Sequence, residues 1–215
     1  LRRYGGDSEA RRIRERLAEK LLRLYCDNAC DDWPWIEDIV AYANGKISEA
    51  LIVSGASLHK DKMLEAGLRS LEWLLEIQTD PRGHFVPVGC NGWYPRGGEK
   101  ARFDQQPIEA LDMIQACHQA YAATSNPKWL THAQRCLEWF LGRNDLNVPL
   151  YDDKTGGCYD GLHADGPNRN QGAESTLVCF LSLLSAHQLR SKQISVEAIA
   201  QVEPEESKEL VSHGR

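Results

Sequence analysis

Apolar residues recur at helical spacing along most of the chain. Between Ser8 and Tyr25, the residues Ile13, Leu17, Leu21 and Leu24 follow at steps of four, four and three, and Arg and Glu fill the opposite face. That pattern predicts an amphipathic helix over 8–25. The same reasoning predicts helices over 36–53, 60–78, 107–124, 127–141 and 173–189. Pro107 and Pro127 open two of these, in a first turn where a missing N–H costs nothing.

The six predicted helices fall into two kinds. Those over 8–25, 60–78 and 127–141 carry charge on one side. Those over 36–53, 107–124 and 173–189 are apolar and small all round, as helices covered on both sides are. Outer and inner helices therefore alternate, and the inner ones begin near residues 37, 107 and 173. A direct repeat supports the alternation. Arg69-Ser70-Leu71-Glu72-Trp73-Leu74-Leu75 matches Arg135-Cys136-Leu137-Glu138-Trp139-Phe140-Leu141 at an offset of 66. A repeated helical hairpin implies neighbours stacked round a shared core, with Trp73 and Trp139 at equivalent packing positions.

Two linkers are long, 80–106 and 142–172, and both are rich in Gly, Asn, Pro, Asp and aromatic residues. Loops of that length in a compact domain are usually functional. The chain thus reads as one helical domain over 1–190 and a disordered tail over 191–215, where Glu203-Pro204-Glu205-Glu206 meets few apolar residues. With 31 acidic and 25 basic side chains, the net charge of −6 argues against a nucleic-acid partner. The most apolar stretch, 176–186, is about half the roughly 20 residues a membrane span needs. The opening Leu1-Arg2-Arg3 is unlike an apolar leader, and the missing initiator Met reads as a fragment or a processed product. Seven scattered cysteines (26, 30, 90, 117, 136, 158 and 179) read as reduced, buried thiols of a cytoplasmic protein. Cys26 and Cys30 lack two further ligands at zinc spacing, so no metal is expected. Neither a Gly-rich phosphate loop nor Gly-x-Ser-x-Gly is present, and no cofactor is expected.

Each inner helix is entered through a polar, carboxylate-rich segment: 31–38, 102–109 and 168–175. In a ring of parallel inner helices these segments share one end, and their carboxylates converge on one mouth. Asp32, Asp104 and Asn170 also read as simple N-caps, and Glu in a first turn suits the helix dipole. Capping does not account for Gln105-Gln106 beside Asp104, nor for acids at Asp38, Glu109 and Asp112. The loops add Trp33, Trp35, Phe85, Trp93, Tyr94, Tyr151 and Tyr159. Sugar rings stack C–H faces on aromatic planes and need Asp, Glu, Asn, Gln and Arg for their hydroxyls, so a polar pocket walled by rings reads as a carbohydrate site. His84 and His163, in the long loops, are candidates to face a ligand.

These residues carry a resemblance. Cys30-Asp31-Asp32-Trp33-Pro34-Trp35-x-Glu37-Asp38, Arg102-Phe103-Asp104-Gln105-Gln106-Pro107-Ile108-Glu109-Ala110, Leu141-Gly142-x-Asn144-Asp145-Leu146, Tyr151-Asp152-x-x-Thr155-Gly156-Gly157-Cys158-x-Asp160-Gly161-Leu162 and Asn170-Gln171-Gly172-Ala173-Glu174-Ser175-Thr176 look like a bacterial module of the six-hairpin glycosidase superfamily. The chain is similar over roughly 25–190 to the region found C-terminal to some retaining-type bacterial glycosyltransferases. The same region also occurs as a separate protein usually named a glycosyltransferase. The resemblance implies an all-α (α/α)6 toroid with a sugar-binding mouth, of which three hairpins are expected here as the C-terminal half. The partners it implies are an oligosaccharide or sugar substrate, and either an upstream glycosyltransferase or the missing half barrel. A half barrel would leave an apolar flank bare unless a second copy or the missing half closed it.

For hydrolysis, the acid and base are expected among Asp38, Asp104, Glu109 and Glu174, with Glu37 and Asp160 behind them. Gln105, Gln106, Asn170 and Gln171 are expected to hold hydroxyls, and Trp33, Trp35, Trp93 and Tyr94 to stack on rings. Arg96 or Arg102 would grip an acidic sugar or orient a carboxylate, and His163 completes the binding set. A non-catalytic sugar-binding module serving a glycosyltransferase is the rival reading. A sugar epimerase is the weaker third, because it would want paired histidines at the mouth.

Overall fold

The computed structural model describes residues 7–188, so the expected tail over 191–215 lies outside the described residues. The described chain is mostly helical. Helix α1 spans Ser8–Asn28, α2 Asn44–Leu58, α3 Asp61–Ile77, α4 Pro107–Thr124 and α5 Lys128–Phe140. A sixth, α6, runs over 173–188. Two short antiparallel ribbons join loops: β1 (Ile39–Val40) with β2 (Tyr94–Pro95), and β3 (Gly161–His163) with β4 (Gly166–Asn168).

Five helices lie within a few residues of their predicted limits. Asp7 starts α1 by accepting the N–H groups of Glu9 (2.9 Å) and Ala10 (3.1 Å). The second helix begins at Asn44, eight residues later than the pattern predicts. The Trp33 and Trp35 indoles donate to the carbonyls of Glu37 (2.7 Å) and Ile39 (2.9 Å), which a helix over 36–53 would need for itself. Ala43, left-handed at φ 56°, then separates this extended segment from the helix. Asp38 and Glu37 therefore lie outside α2, on an exposed connection, and not in a first helical turn.

From α2 to α5, packing follows the expected alternation. α4 buries a nearly continuous run from Glu109 to Ile114 along with Ala116, Cys117 and Ala120, so it is covered on every side. It sits against α2 and α5, and α2 against α3. The charged helices α3 and α5 turn one apolar face inward. α2 lies so close to α4 that a Cβ at Gly45 would stand 2.5 Å from the Asp112 carbonyl carbon. Trp139 is fully buried, whereas its repeat counterpart Trp73 is only half-buried, edge-on to Trp33 at 4.8 Å. The expected equivalence holds for backbone position but not for burial.

Of the exposed large apolar side chains, Ile13, Leu17 and Leu24 lie on α1, and Leu177, Phe180 and Leu184 on α6. Inner helix α6 thus has a bare flank, unlike α4. No described helix is long and apolar enough to cross a membrane. Gly45→Ala should force α2 and α4 apart and lower unfolding free energy by about 2–3 kcal/mol, read from urea denaturation midpoints.

Candidate functional site

The start of α4 sits beside that of α2, because Glu109 accepts the N–H groups of Ala43 and Asn44. The loop before α6 is tied to α4 by a two-way backbone bridge between Gln105 and Leu162 (3.0 and 2.9 Å). The three inner helices therefore present their N-termini at one end.

Beneath that end lies a buried polar network. The Gln105 side chain is fully buried. Its amide donates to Asp145 Oδ2 (2.8 Å) and to the Arg102 carbonyl (2.8 Å), and its oxygen accepts the Trp139 indole N–H (2.6 Å). Asp145 also meets Arg102 Nη2 at 2.5 Å, His84 Nε2 at 3.0 Å and Arg82 Nη2 at 3.4 Å. Asp80 binds Arg82 Nε (2.9 Å) and Arg102, whose hydrogen bond, together with those from Arg82, holds its carboxyl well below the usual carboxylate range. Lys100 donates to the carbonyls of Ile77 (2.7 Å) and Val86 (3.3 Å), and burial pushes its ammonium down to about 8. Donor atoms of Asp80, His84 and Asp145 come within 4.8 Å of one another, as cation ligands would. Two guanidiniums already neutralise both carboxylates there, so the donor set suits a divalent ion poorly. The sequence points to Gln105 as a hydroxyl ligand and to Arg102 as either the grip for an acidic sugar or the group that orients a carboxylate. Here Gln105 is spent inside the network, and half-exposed Arg102 spends its donors on Asp80 and Asp145.

Glu109 is also spent internally. It is fully buried, and its oxygens accept from the Ala43 N–H (2.6 Å), the Asn44 N–H (3.4 Å) and Asn44 Nδ2 (3.0 Å). α2 has no side-chain cap of its own, and Glu109 of α4 supplies one. Burial outweighs those donors and pushes the Glu109 carboxyl up to about 7. One turn on, Asp112 is buried with Lys46 Nζ at 3.5 Å as its counter-ion, and burial raises it to about 6.

The remaining candidates divide by surroundings. Asp104, left-handed at φ 59°, meets His163 Nδ1 from β3. Asp160 accepts from Asn170 Nδ2 and from the Gly172 N–H (2.8 Å), so it and Asn170 fix the entry to α6. Gln171 donates to Asp152 (2.9 Å) and accepts from Thr155 (2.8 Å), another internal tie. Gln106 is the residue before α4 and makes no side-chain cap. Glu174 stands exposed in the first turn of α6. Asp38 is 79% exposed at the far edge beside Arg96 (3.3 Å), whose other donors go to the Asn28 carbonyl and Cys30. Glu37 is exposed next to it. Asp104 and His163 thus form a pair, Glu174 stands on the exposed start of α6 within reach of Tyr42, and Asp38 and Glu37 lie apart on their own connection.

The expected stacking rings are mostly structural. Trp33 and Trp35 are buried and pinned by their indole N–H bonds, with no free face for a sugar. Tyr94 stacks on Trp73 at 6.4 Å, and Trp93 is half-buried at φ 55°. The ring missed in the sequence is Tyr42. It is 53% exposed just before α2, and the charges of Glu174, Glu109 and Asp112 all reach its hydroxyl, which burial and those charges push up. The visible signal was an aromatic two residues before a cluster of small residues at a helix start.

Two measurements follow. Asp145→Asn should leave two guanidiniums facing a neutral amide and cost about 3 kcal/mol of stability in chemical denaturation. Glu109 and Asp112 titrate higher folded than unfolded. The folded chain holds protons between about pH 4.5 and 7 that the unfolded chain has shed, so stability falls as pH rises through that window. Glu109→Gln should flatten that fall, seen as denaturation midpoints that vary less across the same pH range. The chain matches no protein-family model and no curated protein sequence.

Proposed function

We propose that this chain is a carbohydrate-active protein with a glycoside-hydrolase-like cleft, built on hairpins arranged as part of an (α/α)6 toroid. The observation that carries the reading is the Asp104–His163 contact before α4, together with an exposed Glu174 at the start of α6 whose charge reaches exposed Tyr42 before α2. Glycoside hydrolysis needs two carboxyl groups facing one anomeric carbon: one to protonate the leaving oxygen, the other to activate water or attack. Among the six acids expected, Glu109 and Asp160 are committed to backbone N–H groups, and Asp38 and Glu37 lie aside. Asp104 and Glu174 are the pair left to do the chemistry. His163 orients Asp104, and Tyr42 offers an exposed ring for a sugar face. The bare flanks of α1 and α6 are, on this reading, the edges where a toroid continues. Free cysteines, four of them buried, fit a reducing cytoplasm.

The second reading is a sugar-binding module that serves a glycosyltransferase without turnover. It is favoured by how many mouth carboxylates are already spent on backbone and arginine partners. Incubation with a panel of neutral, amino and acidic oligosaccharides separates the two. A hydrolase releases reducing ends, and Asp104→Asn and Glu174→Gln each cut the rate at least about 100-fold. A receptor binds without release, and binding survives Glu174→Gln.

A further inference from the structure

We propose that the loop between α5 and α6 carries a second carbohydrate subsite, a cleft walled by Tyr151 and Tyr159 and ringed by Asp153, Asp165 and Arg169. The inference rests on the carbohydrate reading above for its ligand class; it moves Tyr151 and Tyr159, expected from the sequence at the mouth, to a cleft of their own and uses none of the residues proposed for catalysis.

The cleft has a volume of about 450 Å³ and further walls of Leu146, Val148, Pro149 and Pro167. That size and that mix of apolar wall with a few polar groups are typical of small-molecule sites. Its framework is held by backbone bonds. Leu150 and Tyr151 donate their N–H groups to the Phe140 carbonyl (2.9 and 3.2 Å), and Tyr159 donates to that of Leu150 (2.9 Å). Tyr151 pairs with Cys158, and Leu150 and Cys158 are both fully buried. The two rings are thus mounted on the edge of the core and half-exposed toward the cleft.

The polar rim is unengaged. Asp152 is tied to Gln171 and to the Lys154 N–H, and so forms fixed wall. By contrast, the tyrosine hydroxyls and the side chains of Asp153, Asp165 and Arg169 make no hydrogen bond or ion pair among the described residues. Such groups are available for the vicinal hydroxyls of a sugar, which donate to carboxylates and accept from arginine. Three acids against one base leave the cleft net negative. The ligand class is therefore a neutral or amino-sugar residue, and uronic or phosphorylated sugars are disfavoured. Hairpin β3–β4 relates the two places. His163 on β3 meets Asp104 at the mouth, while Gly166 and Pro167 line the cleft. The subsite would hold a remote residue of a chain whose other end reaches the mouth.

The test is calorimetric titration of the full chain with mannotetraose, cellotetraose, maltotetraose, chitotetraose, tetraglucosamine and tetragalacturonate. The variants are Arg169→Ala, Tyr151→Ala, Tyr151→Phe and, for the mouth, Tyr42→Ala. Expected is binding of a neutral or amino tetramer that Arg169→Ala and Tyr151→Ala each weaken by about 10-fold, the scale of one lost ring or charged contact. Tyr151→Phe keeps the ring and should keep the affinity. Arg169 is exposed and without a partner, so its removal should leave the melting temperature unchanged, and it decides the matter if Tyr151→Ala fails to fold. Binding weakened by Tyr42→Ala but untouched by Arg169→Ala and Tyr151→Phe or Ala overturns the subsite and leaves the mouth standing. Preference for tetragalacturonate overturns the ligand class. A chain that binds none of the six overturns the subsite and the carbohydrate reading together.

Discussion

One buried carboxylate, Asp145, sets the geometry of the loop end. It receives Arg102, Arg82, His84 and the Gln105 amide, which come from the linker before α4, while it belongs to the linker before α6. A lone ionised group at 2% side-chain exposure would be prohibitively costly. The chain resolves this by converging donors on it, and the convergence fastens two long loops to each other. Gln105 extends the network to α5 through the Trp139 indole. The loops also sink Phe85, Val88, Leu150 and Leu162 into the core, and the Asp145 centre adds a directional tie between them that apolar packing alone does not supply.

The mouth is arranged around what this network leaves over. Acids near the protein interior are consumed by structure: Glu109 caps a neighbouring helix, and Asp80 and Asp145 answer arginines. Acids one layer out, Asp104 and Glu174, keep a solvent face. The same sorting applies to rings, since tryptophans whose indoles found a carbonyl became core, while Tyr42 and the tyrosines of the α5–α6 loop kept exposed edges. Residue type alone did not decide these roles; access to an internal partner did.

That distinction explains how far the sequence could be read. Helix periodicity is local, and α3, α4 and α5 lie where the spacing of apolar residues puts them. α2 was misplaced because its start is decided by distant atoms: two indoles that withdraw carbonyls from residues 37 and 39, and a glutamate that arrives from α4. The pattern over 36–43 is apolar enough for a helix, and nothing in it records the competing partners. Of the three polar segments, 102–109 and 168–175 do lead into helices, whereas 31–38 ends six residues short of α2 and sits apart. Which of their side chains face outward was not legible, since Gln105 and Gln106 are neighbours of identical type, and only Gln105 turns inward to Asp145. Tyr42 escaped notice because it was assigned to a helical turn.

The Glu109 cap has a consequence for the order of assembly. Its contact with Ala43 closes a span of 66 residues, and the entropy of closing that span must be met before the contact repays it. α2 with α3 and α4 with α5 can gather as local hairpins, whereas the N–H groups of Ala43 and Asn44 gain their Glu109 partner only once α4 is docked. The end where the starts of α2 and α4 meet is therefore among the late features to set on the folding route, and a nascent chain released before Glu109 emerges has its second helix uncapped at its start.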